Sequence, residues 1–301
     1  MALIRLARRG AQACWAGAED TAVIATGSLG FAGAAEDDRD RWLNGFRRLL
    51  DGLDAPVQVV IEVLPGSDEF AETSNAVPRD FDDMRGADVS FAETVRHSRR
   101  AHSVTTFLAT ETRHSERLKA ALREMGVQPD DAQPTRISVF GQESARFFRH
   151  ARGFSRTWYV HRLPGTELAP GWLFRLLPPG LAISLAWHAV PLPAAWIVGY
   201  LQRQLINMRA VRMVQAGSGA SDPSLDGALP NAEDLQRRLA ASQDKAFHLS
   251  VYLTLTAPTP AALDAGSQIV DAAARAILCD LQPCLFRMLD GHLATQPGGP
   301  D

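Results

Sequence analysis

Apolar positions along the chain alternate between two rhythms. Trp42, Phe46, Leu49, Leu50 and Leu53 recur at helical spacing, with Arg41, Arg47 and Arg48 off that face. They predict an amphipathic helix, and its acidic start, Glu36-Asp37-Asp38, suits the positive end of the helix dipole. Asp54-Ala55-Pro56 ends the helix, and the β-branched run Val57–Leu64 predicts a strand. Upstream, Gln12–Ala16 and Thr21–Thr26 flank Gly17-Ala18-Glu19-Asp20 and read as a hairpin over 12–28. Downstream comes a polar loop at 65–88 that holds an acidic Asp80–Asp83 stretch. A helix over 88–100 follows, then a strand at Val104–Thr110 and a helix at Ser115–Met125. Arg136–Phe140 predicts a short strand, and Gln142–His150 a helix.

The second half repeats this grammar. Strands are expected at Thr157–Arg162, Leu181–Val190, Phe247–Ala257 and Pro283–Leu289. Helices are expected at Gly171–Leu177, Ala194–Gln215, Ala232–Ala241 and Thr259–Leu278. Gly217–Pro230 reads as a loop, and Gln296-Pro-Gly-Gly-Pro-Asp301 as a linker-like tail. Strands spaced by helices in this order suggest split β-α-β units on mainly antiparallel sheets. The expected fold class is α+β, with two ferredoxin-like sandwich subdomains at 1–150 and 151–295 and a tail at 296–301.

Leu176 to Gln202 carries no Asp, Glu, Lys or Arg and is long enough to span a bilayer. Its period argues otherwise. Ile183, Leu185, Trp187 and Ala189 alternate with Ala182, Ser184, Ala186 and His188, and helical spacing begins only after Pro193. A strand, a proline-marked turn and a helix account for the window better than one apolar helix.

With 301 residues, 46% apolar and 22% charged, the chain can bury cores of its own. A net charge of −3 argues against a bulk polyanion binder. Cys14, Cys279 and Cys284 match no redox or zinc spacing, and MALIRLARRG has no apolar signal core, which predicts a reduced cytoplasmic setting.

The basic residues are almost all arginine; Lys119 and Lys245 are the only lysines. A phosphate-binding P-loop needs a lysine after a glycine-rich loop, because the ammonium reaches the phosphates. Lys119 sits in Arg117-Leu-Lys-Ala-Ala and Lys245 in Gln243-Asp-Lys-Ala, so neither fits. Gly27-Ser28-Leu29-Gly30 does not complete a dinucleotide fingerprint. Gly217-Ser-Gly-Ala-Ser221 resembles a nucleophile elbow in composition only. The run from Arg96 to His102 reads as a solvated helix face. Asp80, Asp82 and Asp83 lack the remaining ligands of a calcium loop. No catalytic, cofactor or metal residue is therefore assigned. The distinctive element is the helix 194–215. Trp196, Ile197, Tyr200, Leu201, Leu205, Met208 and Val211 form its apolar stripe, with Arg203, Arg209 and Arg212 around it. Trp196, Tyr200, Arg203, Arg209 and Arg212 are its candidate interaction residues, since aromatics and arginine favour interfaces.

Several segments, taken in order, resemble one family. Phe46-Arg-Arg-Leu-Leu-Asp-Gly-Leu-Asp-Ala-Pro and the strand after it look like a helix, an L-D-x-P turn and a strand. Arg156-Thr-Trp-Tyr-Val160 precedes Pro170-Gly-Trp-Leu173, and Tyr200-Leu-Gln-Arg-Gln-Leu205 follows. Phe247-His-Leu-Ser-Val-Tyr-Leu253 and Phe286-Arg-Met-Leu-Asp-Gly291 through Pro297-Gly-Gly complete the set. Together, from about 12 to 300, they resemble the region preceding the motor in the TraC-like, VirB-type ATPases of conjugation and type IV secretion. That resemblance implies a non-catalytic docking and oligomerisation module. Its implied partners are inner-membrane secretion proteins, further copies and a motor domain, at the inner face of the cell membrane. ATP and magnesium would belong to the motor, which this chain lacks. Two other readings are a small-molecule-binding ferredoxin-like module and an arginine-rich DNA-contacting platform.

Overall fold

The computed structural model describes residues 20–27, 36–65, 102–132, 141–163, 172–218, 223–241 and 245–301. They form a mixed α+β protein with one large, mainly antiparallel sheet of ten strands and six helices. Residues 12–16, 66–101 and 136–140, with the acidic run and all of the arginine-histidine run but His102, lie outside the described residues.

The first half runs β1 (Thr21–Gly27), α1 (Glu36–Gly52), β2 (Val57–Pro65), β3 (His102–Glu111), α2 (Ser115–Glu124) and β4 (Asp130–Ala132). Its strands lie in the order β4-β1-β3-β2. Two short strands, β5 (Gln142–Glu143) and β6 (Phe148–His150), follow. The second half runs β7 (Gly153–Arg162), a 3-10 turn at Trp172–Leu176, β8 (Ala182–Leu192), α3 (Ala194–Ser218) and α4 (Pro223–Ala240). It continues with β9 (Ala246–Ala257), α5 (Pro260–Ala276), β10 (Asp280–Pro283) and α6 (Met288–Ala294). Here the order is β8-β9-β7, with β10 beside the far end of β7 and β6 beside its start. β2 and β8 pair antiparallel from Val57–Ala189 to Val63–Ile183, so the sheet is continuous across the middle.

The strand period of two divides the sheet into unlike faces. Val57, Val59, Ile61 and Val63 share one face with Ile183, Leu185 and Trp187. Helices cover that face. Leu49 of α1, Leu53 just after it, and Leu118 and Leu122 of α2 pack on one end of it. Leu263, Val270 and Ala274 of α5 pack on the other. Phe46 meets Trp187 edge-on, with ring centroids 5.7 Å apart. The opposite face carries Gln58, Thr157, His188, Ser250 and Thr254. Its polar character explains why these strands alternate although both faces are largely covered.

Helix ends follow local chemistry. Thr259 accepts a bond from Ala262 N at 3.2 Å, and Pro260 opens α5. Gly126, with φ +78°, closes α2 in the left-handed conformation that glycine adopts cheaply. α5 is different. The left-handed residue after it is Leu278, with φ 57°.

Four expectations need correction. Gln142–His150 is not a helix: Ser144 accepts bonds from Arg146 N and Phe147 N, and this turn folds β5 back onto β6. The loop expected up to Pro230 is largely α4, which starts at Pro223 and holds Pro230 within it. The last strand is Asp280–Pro283, while 288–294 is the helix α6. The Pro- and Gly-rich end is seated on the sheet: Thr295, Gln296 and Gly299 are buried. The apolar window resolves into β8 and the start of α3. Among the described residues no helix is long and apolar enough to cross a membrane.

Candidate functional site

Two places in the fold combine unusual chemistry with defined geometry. One is the hairpin of α3 and α4, inserted between β8 and β9. Neither helix contributes to the two cores of the sheet. The hairpin has a seam of its own, in which Leu201 and Leu205 of α3 and Leu229 and Leu239 of α4 are buried. An ion pair from Arg209 to Glu233, at 2.7 Å, ties the helices together.

The outer side of α3 is the anomaly. Trp196, Ile206, Val211, Met213 and Val214 are all exposed, Met213 at 78% and Val214 at 73%. A helix apolar on two sides is normally buried. The five residues singled out from sequence separate here. Trp196 and Tyr200 stack, with rings 5.8 Å apart and 6° from parallel. Arg203 and Arg212 are exposed, and Arg209 is committed to Glu233. The apolar stripe read from sequence holds Trp196 and Val211, which are solvent-facing, and omits the exposed Ile206, Met213 and Val214. Their signal was present as a second stripe at 3.5-residue spacing beside the first.

The other place is the polar sheet face, crossed by α6 and the chain end. Gln58, fully buried, donates from Nε2 to the carbonyls of Ala294 (3.0 Å) and Gln296 (2.9 Å). Its Oε1 accepts from Gly298 N at 2.7 Å. His188 Nε2 lies 2.9 Å from the same Ala294 carbonyl. Thr295 donates to Thr254, which bonds Thr157 in turn at 2.7 Å. Ser250 donates to the Asp301 carboxylate at 3.2 Å. Gly291 allows α6 to lie this close, since a Cβ there would stand 2.8 Å from Thr157 Cγ2. Burial pulls the His188 pKa down, opposed by the Asp301 charge and the Ala294 bond. Nearby, the rings of His150 and His292 stack 4.9 Å apart. Both nitrogens of His292 are buried without a hydrogen-bond partner. Burial first, then the His150 and Arg152 charges, push its pKa down to about 4.

A cleft of about 580 Å³ lies between β7, α5 and β10. Its Arg156 is already engaged within the wall. Arg156 donates to Asp264 and Ser267, both at 2.8 Å, and to the Arg146 carbonyl at 3.0 Å. Burial raises the Cys279 thiol in its wall to about 11, which keeps it protonated. Both lysines are engaged structurally. Lys119 bridges Glu116 and Asp131 at 2.8 and 2.7 Å, and Lys245 binds Asp54 at 2.7 Å. Among the described residues, no group of three or more His, Cys, Asp or Glu is placed to hold a metal ion. No protein-family model matches the chain, and a search of curated proteins finds no match.

Proposed function

We propose that the chain is a non-catalytic docking and oligomerisation module of a conjugative type IV secretion ATPase, acting beside inner-membrane channel proteins. In this reading the sheet holds two ferredoxin-like units. The first is β1-α1-β2-β3-α2-β4, ordered β4-β1-β3-β2. The second is β7, the 3-10 turn, β8, β9, α5 and β10, ordered β10-β7-β9-β8. Each has the order 4-1-3-2 of a split β-α-β fold, and they join through their second strands, β2 and β8. The ordered sequence resemblance supplies the family.

The observation that carries the docking function is the α3–α4 hairpin, which stands outside both cores and turns large apolar side chains to solvent. Exposed apolar rows of this size mark interaction sites. Nothing comparable supports the two other readings: the cleft's Arg156 is already paired with Asp264, and a net charge of −3 disfavours DNA. Calorimetry with magnesium–ATP tests the proposal, and no tight binding is expected from this chain. Tight magnesium-dependent binding would sink the non-catalytic reading.

A further inference from the structure

The exposed side of α3 has a stricter pattern than a hydrophobic patch. Trp196, Gly199, Arg203, Ile206, Ala210, Met213 and Gly217 follow one another at alternating steps of three and four residues. That is the spacing of a coiled-coil a/d seam, about 30 Å long at the helical rise. Trp196, Ile206 and Met213 are exposed knobs. Gly199 and Gly217 have open space where a Cβ would stand, so the seam alternates knobs with hollows. The Leu201–Leu205 side of the helix is already used against α4. We infer that this second seam receives one further α-helix, from a partner protein, which carries apolar heptad positions and a carboxylate facing Arg203.

Arg203 decides the partner's chemistry. It lies at an a position in the middle of the seam, and α3 has no Asp or Glu along its whole length. Arg209 at the seam's edge is already neutralised by Glu233. A helix closing over the seam desolvates the Arg203 guanidinium, which is costly unless an opposite charge meets it. A second copy of α3 brings no carboxylate to that position in any register, because the helix holds no Asp or Glu, and leaves the arginine unmatched. A lipid surface leaves the guanidinium among its headgroups and sets no register. A carboxylate on a facing helix resolves the problem and sets the register as well.

The inference deepens the docking reading and rests on it for the choice of surface. Its test uses the whole chain and a displayed library of single α-helices with randomised heptad positions. Clones enriched on the wild type but not on Met213→Lys, a change at an exposed position, should carry Asp or Glu opposite Arg203. Arg203→Glu should reverse that preference to Lys or Arg and weaken a wild-type clone about tenfold or more. Seam-dependent clones indifferent to the charge at residue 203 overturn the inference, and so does a library that gives none. Sedimentation showing a dimer that Met213→Lys dissociates assigns the seam to a second copy instead. Flotation with phosphatidylglycerol vesicles, lost in Met213→Lys, assigns it to lipid; either result overturns the inference. ATP binding enters none of these measurements, so failure here and failure of the non-catalytic reading remain separate outcomes.

Discussion

Gln58→Met tests whether one buried amide holds the chain end on the sheet. The substitution keeps the length of the side chain and removes all three of its hydrogen bonds to residues 294–298. The Ala294 carbonyl keeps His188 Nε2 at 2.9 Å. The Gln296 carbonyl keeps Gly299 N at 2.8 Å, so the Gly298 amide is the group left without the bond that Gln58 supplied. Stranding a buried polar group costs about 1–3 kcal/mol, and the apolar methionine returns part of that. The net expectation is about 1–2 kcal/mol against the closed end segment. Hydrogen exchange reads this directly. Protection of Gly298 should fall roughly five- to thirty-fold, while amides of β8 and β9 change far less. Gln58→Glu should be worse, because it sets a carboxylate against two carbonyl oxygens. Unchanged exchange at Gly298 in Gln58→Met would refute the reasoning, since the segment would then be held by something other than this amide.

Two further substitutions probe the other strained features. His292 has its folded pKa lowered from 6.5 to about 4, so the unfolded chain takes up a proton first as pH falls. Stability should therefore be full above about pH 6.5 and decline toward pH 4, by roughly 3 kcal/mol from this group. His292→Leu should flatten that decline in urea titrations, though not abolish it, because His150 and His188 are lowered as well. A pH profile identical to the wild type would show that His292 is not the acid-sensitive group. Leu278 is 79% exposed and sits at φ 57°. Leu278→Gly should raise stability by about 0.5–1 kcal/mol, the left-handed strain relieved less the entropy of a glycine; a lower thermal midpoint would contradict this.

Much of the fold was legible because burial imposes period. Val57–Pro65, Ala182–Leu192 and Ala246–Ala257 alternate or run apolar, and each is a central strand. Misreadings fall where a local bond or tertiary packing overrides composition. Gln142–His150 contains good helix formers, yet the Ser144 hydroxyl captures two amides and turns the chain. Pro297-Gly-Gly reads as a linker until Gln58, some 240 positions away, supplies the bonds that hold it. No local signal could announce that contact. The α3 hairpin is the reverse case. Its sequence carries two apolar stripes, which a single-stripe reading merges into one helix face. Only the position of α4 shows which stripe is spent. The unspent stripe still contains Arg203, whose charge makes the surface selective as well as adhesive. An apolar row alone would accept any greasy helix, whereas a guanidinium in mid-seam penalises every occupant that lacks a carboxylate there.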